Sequence, residues 1–198
     1  AEKIFSLFLP LTTGGIVHFG ESIDTIRADL REVSPTIFLG VPRIWEKMHA
    51  SVTLKMKDAS WLKRTLFYWA ARQGEAVSQR RLMHKATLLD SIRWFLADFL
   101  VFRPLQEKLG LRRCRVPVSG AAPISPELLK WFHGIGVPIL EGFGQTECAG
   151  VSHLNPPDAP RIGTVGQALP AVGGLAPLAP TLPQQQADER HASAHHHE

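Results

Sequence analysis

Short runs of β-branched and aromatic residues punctuate this chain, and longer stretches with helical spacing lie between them. IVHFG (16–20), TIFLG (36–40), CRVPVSG (114–120) and VPILEGFG (137–144) read as strands. Residues 2–9 look helical, and LPLTTGG (9–15) closes that segment with Pro and Gly. Asp24 to Val33 places Ile26 and Leu30 on one face with charges outward, and Pro35 stops it. Pro42 opens a further helix through RIWEKMHASVTLKMK.

From Trp61 to Gly110 the pattern is long, helical and basic. Arg64, Arg72, Arg80, Arg81 and Arg93 lie among Phe67, Trp69, Leu88, Leu89, Trp94, Phe95 and Phe99. Amphipathic helices packed on a core are the expectation there. The alternative is a face that sits on a lipid surface with Trp and Arg at the boundary.

SPELLKWFHGIG (125–136) is the best-marked helix. Ser125 can cap it, Pro126 suits its first position, Glu127 favours the positive end, and Gly134 and Gly136 end it. Strand, helix and strand from 114 to 144 form a βαβ unit, which predicts a parallel sheet. Ligands collect beyond the carboxyl ends of such strands. SGAAP (119–123) and EGFGQTE (141–147) both fall there and are expected to lie side by side as small-residue turns. Phe143 offers a ring for stacking, Thr146 a hydroxyl, and Glu147 a hard oxygen of the kind Mg²⁺ takes beside phosphate oxygens.

Composition narrows the partners little. A formal charge of +4, with 44% hydrophobic and 20% charged residues, fits a globular domain and an anionic ligand or lipid surface, and is too mild to argue for nucleic acid. Cys114 and Cys148 make no disulfide framework, so a cytoplasmic setting is expected, with peripheral contact at a membrane. No signal peptide or membrane-spanning run is read; the longest apolar candidate, Trp94 to Phe102, is interrupted by Asp98.

SGAAPISPELLKWF followed by ILEGFGQTE resembles the adenylate-forming (AMP-binding) enzyme superfamily. LREVSPTIFLGVPRIWEKM and the long helical insert after it resemble the long-chain fatty-acyl-CoA synthetase branch, and NPPDAPRIGTVGQALP (155–170) resembles the segment that follows in those enzymes. The resemblance implies an α/β fold, a mostly parallel sheet with flanking helices, forming part of a large N-terminal domain over residues 1–170. It implies a ligase that turns a long-chain fatty acid and ATP into acyl-AMP, with Mg²⁺, and then passes the acyl group to CoA. By motif match, Gly120, Ala121, Ala122, Pro123, Glu141, Gly142, Phe143 and Gly144 would line the adenine pocket. Thr146 and Glu147 would be catalytic, with Glu147 also the metal ligand, and Gln145, Ala149 and Gly150 would border the acyl pocket. Trp45 and Arg43 in VPRIWEK read as a core Trp with a salt-bridged Arg, or else as residues beside the acyl tunnel.

The family's phosphate loop, ribose-binding aspartate and lid lysine are not found in these residues. The chain is therefore expected to be a fragment that is inactive alone, or else a non-catalytic nucleotide-binding or lipid-surface module. Residues 171–198, rich in Pro, Ala, Gln and His, read as a disordered or non-native tail.

Overall fold

The computed structural model describes residues 6–7, 9–83, 85, 87–148 and 150–169. The expected N-terminal helix over 2–9 and the tail at 171–198 fall largely or wholly outside these residues. Strands β1 (Ile37–Gly40), β2 (Val116–Ser119) and β3 (Leu140–Gln145) run parallel, with Ile37 opposite Val116, Val118 opposite Leu140 and Ser119 opposite Glu141. Strand β3 then continues past the end of β2. There it pairs antiparallel with β4 (Gly150–Leu154), which pairs with the short β5 (Gln167–Ala168). The result is an α/β fold with one five-stranded sheet, ordered β1-β2-β3-β4-β5.

Seven helices accompany it among the described residues: α1 (Leu9–Thr13), α2 (Ile26–Val33), α3 (Pro42–Lys57), α4 (Trp61–Leu82), α5 (Leu88–Ala97), α6 (Arg103–Leu109) and α7 (Pro126–Gly134). The chain reverses after α2 where Ser34 adopts φ 48° and its N–H returns to the Leu30 carbonyl at 2.8 Å. Helix α7 starts as its sequence predicts, with Ser125 Oγ accepting from the Leu128 N–H and Pro126 in the first turn. Residues 16–20 form no strand; Ile16 and Phe19 are exposed. A strand exists only with a ladder partner, and nothing among the described residues pairs with this run.

An aromatic cluster ties helices to sheet. The Trp45 ring is fully buried between Phe38 of β1 and Phe132 of α7, edge-on to each at 5.2 Å, and its Nε1–H donates to the Gly40 carbonyl at 3.1 Å. Trp45 is therefore a core residue, whereas Arg43 is exposed and in no ion pair among the described residues. Helices α4 and α7 approach closely enough that a Cβ on Gly74 would lie 2.2 Å from the Gly134 carbonyl oxygen. Only glycine permits that crossing, and it sets α7 against the inner side of α4.

The basic helical region divides between its two readings. Phe67, Ala70, Val77, Ala97 and Phe102 are core, as expected of amphipathic helices. Leu88, Leu89, Phe95 and Phe99, grouped with them in the sequence, are exposed. A π-helical turn over Asp98–Phe102 joins α5 to α6, with the Arg103 N–H reaching the Asp98 carbonyl. No described helix is long and apolar enough to cross a membrane.

Candidate functional site

The site forms where β2 ends and β3 does not. The pairing of Ser119 with Glu141 brings the two small-residue segments together, and a side chain added at Gly120 would come within 3.3 Å of the Gly142 carbonyl oxygen. Ala121, Ala122 and Pro123 turn away from the sheet at the surface. Ala121 holds φ 71°, a left-handed conformation that costs a non-glycine residue roughly 1 kcal/mol. Such strain concentrates where structure is dictated by a ligand surface rather than by chain preference.

Residues 140–145 are strand, so the strand expected over 137–144 forms from Leu140, while the turn expected from Glu141 onward does not; the turn proper is the single 3₁₀ turn Thr146–Cys148. The cause is the hairpin. Gly144 pairs with Val151 beside a register shift at Phe143, and a Cβ on Gly144 would lie 2.1 Å from the Gly150 carbonyl oxygen. The glycine spacing that looked like a loop is required by two backbones in contact.

Along this ribbon Phe143 is 41% exposed, with its ring edge-on to His153 at 6.1 Å. Gln145, Thr146 and Glu147 follow, all exposed. Gly150 is buried and pairs with Gln145, so two of the three expected acyl-pocket residues are brought together; Ala149 lies outside the described residues. Phe143, Thr146 and Glu147 thus stand exposed along the stretch of chain that follows the contact of Gly120 with Gly142. Among the described residues no three acids, histidines or cysteines gather into a metal cage. A single exposed carboxylate such as Glu147 still suits Mg²⁺, which takes most of its ligands from phosphate and water.

Glu141 behaves differently from the rest of its motif. It is 9% exposed, and its Oε2 accepts the Gly163 N–H at 3.0 Å while its carbonyl accepts the Asn155 N–H at 3.0 Å. Its side chain clamps the loop that returns from β4 to β5. Burial pushes the carboxyl pKa up, and the backbone N–H groups of Gly163 and Thr164 draw it partly back. A carboxyl raised in the folded state loses stability as pH rises through that range. Glu141→Gln keeps an acceptor for Gly163 without the charge. Its melting temperature relative to the parent should therefore climb between pH 4 and pH 7; a flat or falling difference in thermal melts would refute this assignment.

Two residues that fall in the quoted motifs were given no role of their own in the sequence. Asn155 is buried; its Oδ1 accepts the Arg161 N–H at 3.0 Å and its Nδ2 donates to the Arg161 and Thr164 carbonyls, folding the loop behind the site. The only signal was the Asn-Pro-Pro string itself. Ser119 is buried at the end of β2 with its hydroxyl unpartnered among the described residues. Cys114 is half-buried, and burial raises its thiol to about 11, whereas Cys148 stands exposed beside Glu147. A cavity of about 330 Å³ lies elsewhere, between α4, α5 and the 157–160 loop.

Comparison with known proteins adds the context of this stretch. The AMP-binding enzyme family matches residues 1–173. The chain is 31% identical over 173 residues to the long-chain-fatty-acid–CoA ligase ACSBG2 of Xenopus laevis, covering 85% of this chain and 23% of that protein. It is 36% identical over 180 residues to the putative fatty-acid–CoA ligase fadD11 of Mycobacterium tuberculosis, covering 88% of this chain and 31% of that one. The human ACSBG2 ligase is 31% identical over 172 residues, 85% of this chain and 26% of its own length. The chain thus spans about a quarter to a third of the curated relatives it matches. No solved structure matches.

Proposed function

Because the chain belongs to the AMP-binding enzyme family, we propose that it carries the adenine-holding part of a long-chain fatty-acid–CoA ligase. The observation that supports this most is the register of β2 with β3, which sets Gly120 against Gly142 at the carboxyl ends of parallel strands. In that reaction a fatty-acid carboxylate oxygen attacks the α-phosphorus of ATP. The bond to the bridging oxygen breaks, and pyrophosphate leaves acyl-AMP behind. The CoA sulfur, having lost its proton, then attacks the acyl carbon, and AMP departs with the bonding pair.

The chain's own residues would act by placement and charge. Gly120 to Pro123 and the backbone of Glu141 to Gly144 would flank the adenine, with Phe143 stacked on its face. Thr146 would donate to the α-phosphate. Glu147 would hold Mg²⁺, which when bound neutralises phosphate charge. Gln145, Ala149 and Gly150 would meet the start of the acyl chain. Residues 1–170 form the AMP-binding unit in this reading, and these 198 residues alone bind nucleotide without turnover, since no phosphate loop or lid lysine is read among them. Contact with a lipid surface belongs to the same proposal, because a long-chain acid partitions into bilayers.

A non-hydrolysable acyl-sulfamoyl adenosine tests the substrate class. The palmitoyl form should raise the melting temperature of the chain more than AMP at equal concentration, through added binding energy. Equal protection by an aminoacyl form would contradict the long-chain reading.

A further inference from the structure

Helix α5 and the π turn after it present a continuous apolar face to solvent. Leu88 is 85% exposed, Phe99 58% and Phe95 57%, and Leu89, Ile92, Leu96 and Leu100 are each about half exposed or more. Their spacing of three and four residues puts them on one side of the helix. The stretch from Leu88 to Phe102 is about 22 Å long at ~1.5 Å per residue.

The π turn decides which residues share that face. Continued α-helical phase would carry Phe102 round toward Phe95 and Phe99. The π turn inserts one extra residue, which shifts the phase by about 100°. Phe102 is thereby fully buried, while Phe99 and Leu100 remain outside with Phe95.

Charge is sorted across the same helix. Its acids, Asp90 and Asp98, are both buried and ion-paired, with Arg80 and with Arg103 at 2.8 Å. Thr87 and Asp90 also form a reciprocal cap that holds the acid at the inner end. Arg93 and Lys85 are exposed, and the Arg103 guanidinium sits 5.9 Å from the Phe99 ring centre. Between Trp61 and Leu105 there are eight Lys and Arg residues against three acids. Separately, the preceding helix α4 exposes Trp61, Leu62 and Trp69.

From this sorting we infer that the outer face of α5 and its π turn docks on an anionic lipid bilayer, Phe95 and Phe99 entering the acyl boundary while Arg93 and Lys85 meet the headgroups. Two copies meeting through this face would bring like charges together, whereas an anionic surface neutralises them. Apolar burial with basic flanks is the combination that holds a helix in the interfacial plane. The inference takes only the membrane as partner from the proposed function; its test reads vesicle binding with no nucleotide present, so it can fail while the ligase reading stands.

Flotation of the purified chain with vesicles of phosphatidylcholine, with and without 30 mol% phosphatidylglycerol, provides that test. The chain should float at least tenfold more with the anionic vesicles at low salt, and much of that excess should disappear in 0.5 M NaCl. Phe95→Glu with Phe99→Glu should lose flotation at least tenfold with an unchanged far-ultraviolet spectrum and melting temperature, as both side chains are exposed. Phe95→Leu with Phe99→Leu should restore it. A parent chain that stays unbound with anionic vesicles, or a double-Glu variant that floats as well as the parent, would overturn the inference. So would light scattering that shows a dimer, dissolved by the Glu pair, with no flotation.

Discussion

Replacing Trp45 with alanine is expected to cost about 3–5 kcal/mol of folding free energy, the range for emptying a buried aromatic site. The ring has no solvent exposure and touches a strand on one side and α7 on the other. Its removal leaves a cavity that neither Phe38 nor Phe132 can close without moving β1 or α7. The Gly40 carbonyl also loses its indole donor. Since domains of this size are stable by only about 5–15 kcal/mol, the variant should sit near its unfolding threshold. Urea titration followed by tryptophan fluorescence would measure the change. A loss below about 1 kcal/mol would mean that the cluster does not join the helices to the sheet.

The consequence reaches the site. Helix α7 connects β2 to β3, and the contact between Gly74 and Gly134 locks α7 to α4. Whatever shifts α7 shifts the relative height of β2 and β3, and with it the approach of Gly120 to Gly142. The site is thus an outcome of core packing as much as of its own motif.

The βαβ unit was legible because each of its boundaries carries a chemical marker. Ser125 caps, Pro126 starts, and Gly134 ends a helix between two apolar runs. The same reasoning gives both a strand through Gly144 and a turn from Glu141, and only the strand forms there. Glycine is common where the chain bends, and a single sequence does not reveal that Gly144 faces another backbone at Gly150. The run at 16–20 failed for the opposite reason: its residues favour a strand, and the described residues supply it no partner. Glu141 was grouped with the adenine residues by motif, and its engagement with Gly163 depends on a loop twenty-two residues away. The π turn was not anticipated either; the sequence reads as continuous helix from Trp61 to Gly110.

Removing the Phe143 ring should have the largest effect on ligand binding. The side chain is 41% exposed and its described ring partner is His153, so Phe143→Ala should leave the fold intact. Stacking of a base on an aromatic ring contributes roughly 1–3 kcal/mol, or about fivefold to 150-fold in affinity. Thr146 and Glu147 follow the ring by one 3₁₀ turn and would contribute mainly when phosphates and Mg²⁺ are present. The loss on removing Phe143 should therefore be similar for AMP and for ATP with Mg²⁺.

Calorimetric titration of AMP into the parent chain and into Phe143→Ala bears most directly on whether this stretch is an adenine site. The parent should bind AMP saturably and one-to-one, and the variant about tenfold or more weakly with its melting temperature unchanged. No saturable binding by a folded parent chain, or equal affinity in both, would contradict that reading.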